Sequence, residues 1–149
     1  MTSIAFVSFV VLLGVGQLNA ELRRDDKWPP PEFLEFIKPI RKSCQEKTGV
    51  SDAAIAEFSD GQVHEDAALK CYMNCLFHEF KVVDDKGEVH FEKIETHVAK
   101  LDEEVRHIAS NLIAKCQNPT GADQCERAFS IHKCWKTNDP KVTLEFFFI

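Results

Sequence analysis

Six cysteines carry the most constrained chemistry in this chain. They stand at Cys44, Cys71, Cys75, Cys116, Cys125 and Cys134, with 26, 3, 40, 8 and 8 residues between successive members. Thiols can hold a metal or oxidise in pairs. A zinc knuckle wants Cys-x2-Cys, a spacing absent here, so an even set behind an export leader predicts three disulfides. Six cysteines allow 15 connectivities. Cys71 and Cys75 fall four apart in the helical stretch "HEDAALKCYMNCLFHEF", on one face but in poor geometry for bonding each other. Cys125 and Cys134, if helical, sit roughly 13 Å apart, beyond disulfide reach. Excluding both pairings leaves ten connectivities, and in each of them Cys71 and Cys75 tie their helix to other segments.

Other reactive patterns fail on inspection. "DDKGE" hints at a calcium loop, but placing Gly87 sixth puts Val82 first and Lys93 twelfth, where an EF-hand needs carboxylates. "HEDAA" and "HEFKV" lack the second histidine of a zinc-protease helix, and neither a Gly-x-Ser-x-Gly elbow nor a phosphate-binding glycine loop occurs. His64, His78, His90, His97, His107 and His132 are scattered over five segments and read as solvated or internally satisfied rings rather than ligands. The expectation is a protein that is not an enzyme and takes no cofactor or metal.

The elements that must position the cysteines are helical. "WPPPEFLEFIKPIRKSCQEKTG" opens with a proline cap and then spaces Phe33, Ile37, Ile40 and Cys44 as a helical stripe, with a kink expected at Pro39 and a stop at Gly49. A short helix capped by Ser51 turns Ile55 and Phe58 inward. The Cys71/Cys75 helix runs from about Glu65 to Phe80 and buries Leu69, Tyr72 and Leu76. A fourth carries Phe91, Ile94, Val98 and Leu101. A fifth starts near Asp102 and aligns Val105, Ile108, Ala109, Leu112, Ile113 and Cys116. The last spans Asp123 to Lys136 and holds Phe129 and Trp135. The fold expected is all-α, a compact bundle of about six helices in one domain.

The first twenty residues carry no charged side chain, and their apolar run from Ile4 to Val15 is well short of the roughly 20 residues a membrane span needs. Residues 1–20 therefore read as a secretory signal peptide cleaved after Ala20, leaving Glu21–Ile149 as the domain. A net charge of −6 argues against nucleic acid and against anionic membrane, and no later segment suits stable membrane insertion. The apolar residues of such a bundle could fill it completely or leave a ligand cavity, and periodicity does not choose between the two.

The cysteine pattern, with its Cys-x3-Cys and Cys-x8-Cys elements, resembles that of the insect odorant-binding proteins, the pheromone/general odorant-binding family. "FSDGQVHEDAALKCYMNCLFHEFKVVDDKGEVHFEK", "RRDDKWPPPEFL" and "HKCWKTNDPK" are similar to the antennal binding proteins of flies and mosquitoes. The resemblance implies six helices around an apolar pocket, braced by Cys44–Cys75, Cys71–Cys125 and Cys116–Cys134. It implies a secreted, non-catalytic carrier that takes a small hydrophobic odorant or pheromone through sensory lymph, with an olfactory receptor or a second copy of the chain as its protein partners. In that fold the helix faces place Leu76, Phe77, Phe80, Leu101, Val105, Ile108, Leu112, Ile113 and Phe129 at the pocket.

The same resemblance makes the tail, residues 137–149, a pocket wall or lid, adding Phe146, Phe147 and Phe148 to the lining. It makes Arg41 and Tyr72 the latch for the Ile149 carboxylate, opened by acid. Two departures bear on this. The nine residues "KVTLEFFFI" after Asp139–Pro140 form a longer tail than in those relatives, so that Glu145 could replace the carboxylate at Arg41. Ser130 stands where relatives often carry tryptophan, implying a roomier or more polar pocket floor. A hydrophobic-ligand carrier outside olfaction, and a secreted interaction protein with a filled core, are the competing readings.

Overall fold

Each helix begins and ends where local chemistry dictates. The computed structural model describes residues 31–100 and 103–139. Among these lie six helices: α1 (Pro31–Thr48), α2 (Asp52–Ser59), α3 (Ala67–Glu79), α4 (Phe91–Val98), α5 (Glu103–Lys115) and α6 (Gln124–Asn138). Pro31 occupies the first helical position of α1, where its missing N–H costs nothing. The helix continues through Pro39 and stops at Gly49, whose φ of +71° lets its N–H reach Gln45 O at 2.8 Å. Side chains of Ser51, Asp66 and Asp123 cap α2, α3 and α6, each accepting the backbone N–H three residues on. Extended pairing among the described residues is confined to an isolated antiparallel bridge between Val83 and Val89.

Three disulfides cross-brace the helices. Cys44–Cys75 joins α1 to α3, Cys71–Cys125 joins α3 to α6, and Cys116–Cys134 joins the residue after α5 to α6. This is one of the ten connectivities left open by spacing, and the one that the family resemblance implies. α3 is consequently bonded on both flanks, and it packs most extensively against α6 and then α1. The largest fully buried side chains are Trp135, Tyr72, Phe58, Leu69, Met73 and Ile113, so the centre of the core lies between α2, α3, α5 and α6.

The "VVDDKGE" turn docks on α6. Asp84 Oδ1 accepts from the N–H groups of Lys86 and Glu88, both at 2.9 Å, closing a tight Asx turn rather than a metal loop. Gly87, at φ +77°, presses against α6 so closely that an added Cβ would lie 2.2 Å from Gln124 Cγ.

Candidate functional site

Helical periodicity on α3, α5 and α6 brings most of the expected ligand-lining residues into one apolar region. Leu76 and Phe77 on α3, Leu112 and Ile113 on α5, and Phe129 on α6 belong to a single continuous core, with Phe80 and Ile108 half-buried at its edge. Val105 is buried on α5. Leu101 and the tail residues Phe146, Phe147 and Phe148 lie outside the described residues.

The aromatic side chains interlock. Phe77 stacks on His132 with ring centroids 4.6 Å apart and meets Trp135 edge-on at 6.0 Å. Phe58 and Phe129 are tilted at 6.0 Å, and Phe36 and Phe80 at 6.5 Å. Such offset and edge contacts place ring edges against ring faces, the favoured aromatic geometry. Phe36, 60% exposed, is the large apolar side chain that the described surface leaves uncovered.

Two cations are drawn into this apolar region. Lys136 is only 3% exposed; its Nζ donates to Ser59 O at 2.6 Å and lies 5.6 Å from the Phe58 ring centre. Lys70 Nζ lies 5.4 Å from the Phe129 ring centre while pairing with Glu65 at 2.6 Å. His132 is the third unexpected polar group. It is 1% exposed, its Nδ1 donates to Ala128 O at 2.8 Å, and burial lowers its pKa from 6.5 to about 4. The ring is therefore neutral at pH 7.

His132 was recognisable as a satisfied ring but not as a core aromatic. The signal lay in the spacing of Ala128, Ile131, His132 and Trp135, which puts the histidine on the buried face of α6. Lys136 carried no such signal, because a lysine at a helix end ordinarily reads as solvated.

Of the proposed latch, Arg41 and Tyr72 adjoin. Arg41 Nε donates to Tyr72 Oη at 3.4 Å, linking α1 to α3, and burial raises the Tyr72 pKa against the opposing effect of the guanidinium. Their third member, Ile149, lies outside the described residues. Ser130 does not simply lend its hydroxyl to a pocket floor: Oγ donates to Arg127 O and accepts from Thr120 N, each at 2.9 Å, and so ties the α5–α6 connection to α6.

A concavity lies apart from the expected ligand-lining residues. It is an open groove of about 600 Å³ lined by Gly87, Glu88, Val89, His90, Phe91, Gln117, Pro119 and Arg127.

Among the described residues the chain is a small all-helical bundle, braced by three disulfides, that brings apolar faces of α3, α5 and α6 together. Residues 27–138 match the profile of the PBP/GOBP family, and the chain belongs to that family. General odorant-binding protein 69a of Drosophila melanogaster is 26% identical over 106 residues, 70% of each chain. The solved structure of odorant-binding protein 4 from Chrysopa pallens superposes with a TM-score of 0.70 at 26% identity, covering 79% of this chain and 96% of that one. Odorant-binding protein 7 from Anopheles gambiae, solved with four disulfide bridges and in complex with an azo compound, gives 0.68 at 25% identity, covering 77% and 92%. Membership makes this chain a carrier of small hydrophobic ligands and not an enzyme. No described helix is long and apolar enough to cross a membrane.

Proposed function

We propose that the mature domain, residues 21–149, is a secreted carrier that solubilises an odorant or pheromone and delivers it to an olfactory receptor. The observation that carries this reading is family membership over 27–138 on a fold whose α3, α5 and α6 share one apolar core. The three disulfides agree with passage through an oxidising secretory route, to which the leader at 1–20 directs the chain. The azo compound held by the Anopheles gambiae relative supports an apolar, aromatic-tolerant ligand here. The ligand lies among Leu76, Phe77, Phe80, Leu101, Val105, Ile108, Leu112, Ile113 and Phe129, closed by the tail residues Phe146, Phe147 and Phe148.

Release follows acidification. A carboxylate of Ile149 held by Arg41 and Tyr72 ionises below the usual 3.3–3.7, so that latch opens only in strong acid. His132 answers in a milder range, because its neutral ring stacks on Phe77 within the apolar region and resists protonation until the pH falls well below 6.5.

Displacement of a fluorescent apolar probe by aliphatic and aromatic volatiles, measured at pH 7 and pH 4, tests the reading. Micromolar displacement at pH 7 and weaker binding at pH 4, where His132 takes up its proton, are expected. Failure of every apolar volatile to displace the probe would overturn the carrier role, whereas equal affinity at both pH values would overturn only acid release.

A further inference from the structure

The open groove is built from segments that are each independently fixed. On one wall, the Asp84 Asx turn and the Val83–Val89 bridge set the backbone of Gly87, Glu88 and Val89. His90 is held between Asp84 Oδ2 at 3.3 Å and Glu92 Oε1 at 3.1 Å. On the other wall, Ser130 pins Thr120 beside Pro119, and Arg127 projects from the first turn of α6. The groove is thus preformed, and about 600 Å³ falls within the roughly 300–1,000 Å³ of small-molecule sites.

Its lining is amphipathic. Val89 and Phe91 are half-buried against the core, and Pro119 faces them as a third apolar surface. Arg127 is half-buried, yet its guanidinium makes no ion pair or side-chain hydrogen bond among the described residues. Among the described residues, the other lysines and arginines that are not exposed are engaged: Arg41 with Tyr72, Lys70 with Glu65, Lys136 with Ser59. A guanidinium offers a planar fork that a carboxylate meets in bidentate fashion. Glu88 lines the same groove and the chain is acidic, which disfavours an anion of more than one charge.

We propose that this groove is a second ligand site, separate from the apolar interior, for a small monocarboxylate with an aliphatic or aromatic body. The carboxylate bonds Arg127, and the body lies along Val89, Phe91 and Pro119. The site does not depend on what occupies the interior.

Decanoate, kept below its micellar concentration, is the probe, with decanol as its uncharged counterpart. Titrated into the isotopically labelled full chain, decanoate is expected to shift the amide signals of Gly87, Val89, Phe91 and Gln117 while an interior fluorescent probe stays bound. Arg127→Gln should weaken that response about tenfold or more, Arg127→Lys by less, and neither should alter affinity for the interior probe. Shifts at those amides that decanol reproduces, or that survive Arg127→Gln unchanged, would overturn the proposal. So would decanoate shifts confined to α3, α5 and α6 together with loss of the interior probe.

Discussion

At the scale of single residues, burial of ionisable groups sets how this fold meets acid. His132 is neutral when folded, with a pKa near 4, and titrates near 6.5 when unfolded. A lowered histidine pKa means that the unfolded chain takes up the proton first, so stability is full above pH 6.5 and declines from there towards pH 4. At 1.36 kcal/mol per unit, the loss at pH 5 is about 2 kcal/mol. Urea unfolding at pH 7 and pH 5 should show it, and His132→Phe, which keeps an aromatic surface against Phe77, should remove most of that difference. An equal pH dependence in the variant would assign the acid response to another group. Gly87 makes a second residue-scale case. Gly87→Ala combines a backbone at φ +77° with a Cβ 2.2 Å from Gln124 Cγ, and should cost about 1–3 kcal/mol in the same assay, because an L residue is strained at that φ and the Gln124 side chain must move aside.

At the scale of elements, the sequence made the helices readable because each carries its own punctuation. Ser51, Asp66 and Asp123 accept the N–H three positions on, and Gly49 ends α1, all from local chemistry. The expected start of α3 near Glu65 moves to Ala67 because Asp66, and not its predecessor, takes the capping position. What pairs with what was far less legible. Spacing left ten cysteine connectivities, since loop lengths do not say which face of α6 meets α3, and only the family resemblance chose among them. The groove was invisible for a related reason: Val89, Gln117 and Arg127 belong to separate segments that only the tertiary fold brings together. Cys71–Cys125, spanning 54 residues, ties the most heavily packed helix pair. Replacing both cysteines with alanine should lower unfolding stability by about 2–4 kcal/mol while far-UV circular dichroism at 25 °C stays largely helical.

At the scale of the whole molecule, the issue is how a bundle held by three covalent braces opens for a ligand. The braces fix α1, α3, α5 and α6 at Cys44–Cys75, Cys71–Cys125 and Cys116–Cys134, so those helices have little freedom to part. Residues after Asp139 carry no cysteine, and they hold three consecutive phenylalanines, Phe146, Phe147 and Phe148. If that tail is the closing wall, each phenylalanine removed from ligand contact forfeits about 1.5–3 kcal/mol of apolar burial, or roughly tenfold or more in affinity. Deleting Phe146–Ile149 should therefore weaken binding of the fluorescent apolar probe at least tenfold at pH 7, mainly through faster release, with the disulfides and helix content unchanged. Arg41→Ala breaks the α1–α3 link to Tyr72 and withdraws the latch while leaving the phenylalanines in place, so its effect should be smaller than the deletion's. Undiminished affinity after the deletion would place the ligand wholly among α3, α5 and α6, and entry would then require the braced helices themselves to breathe.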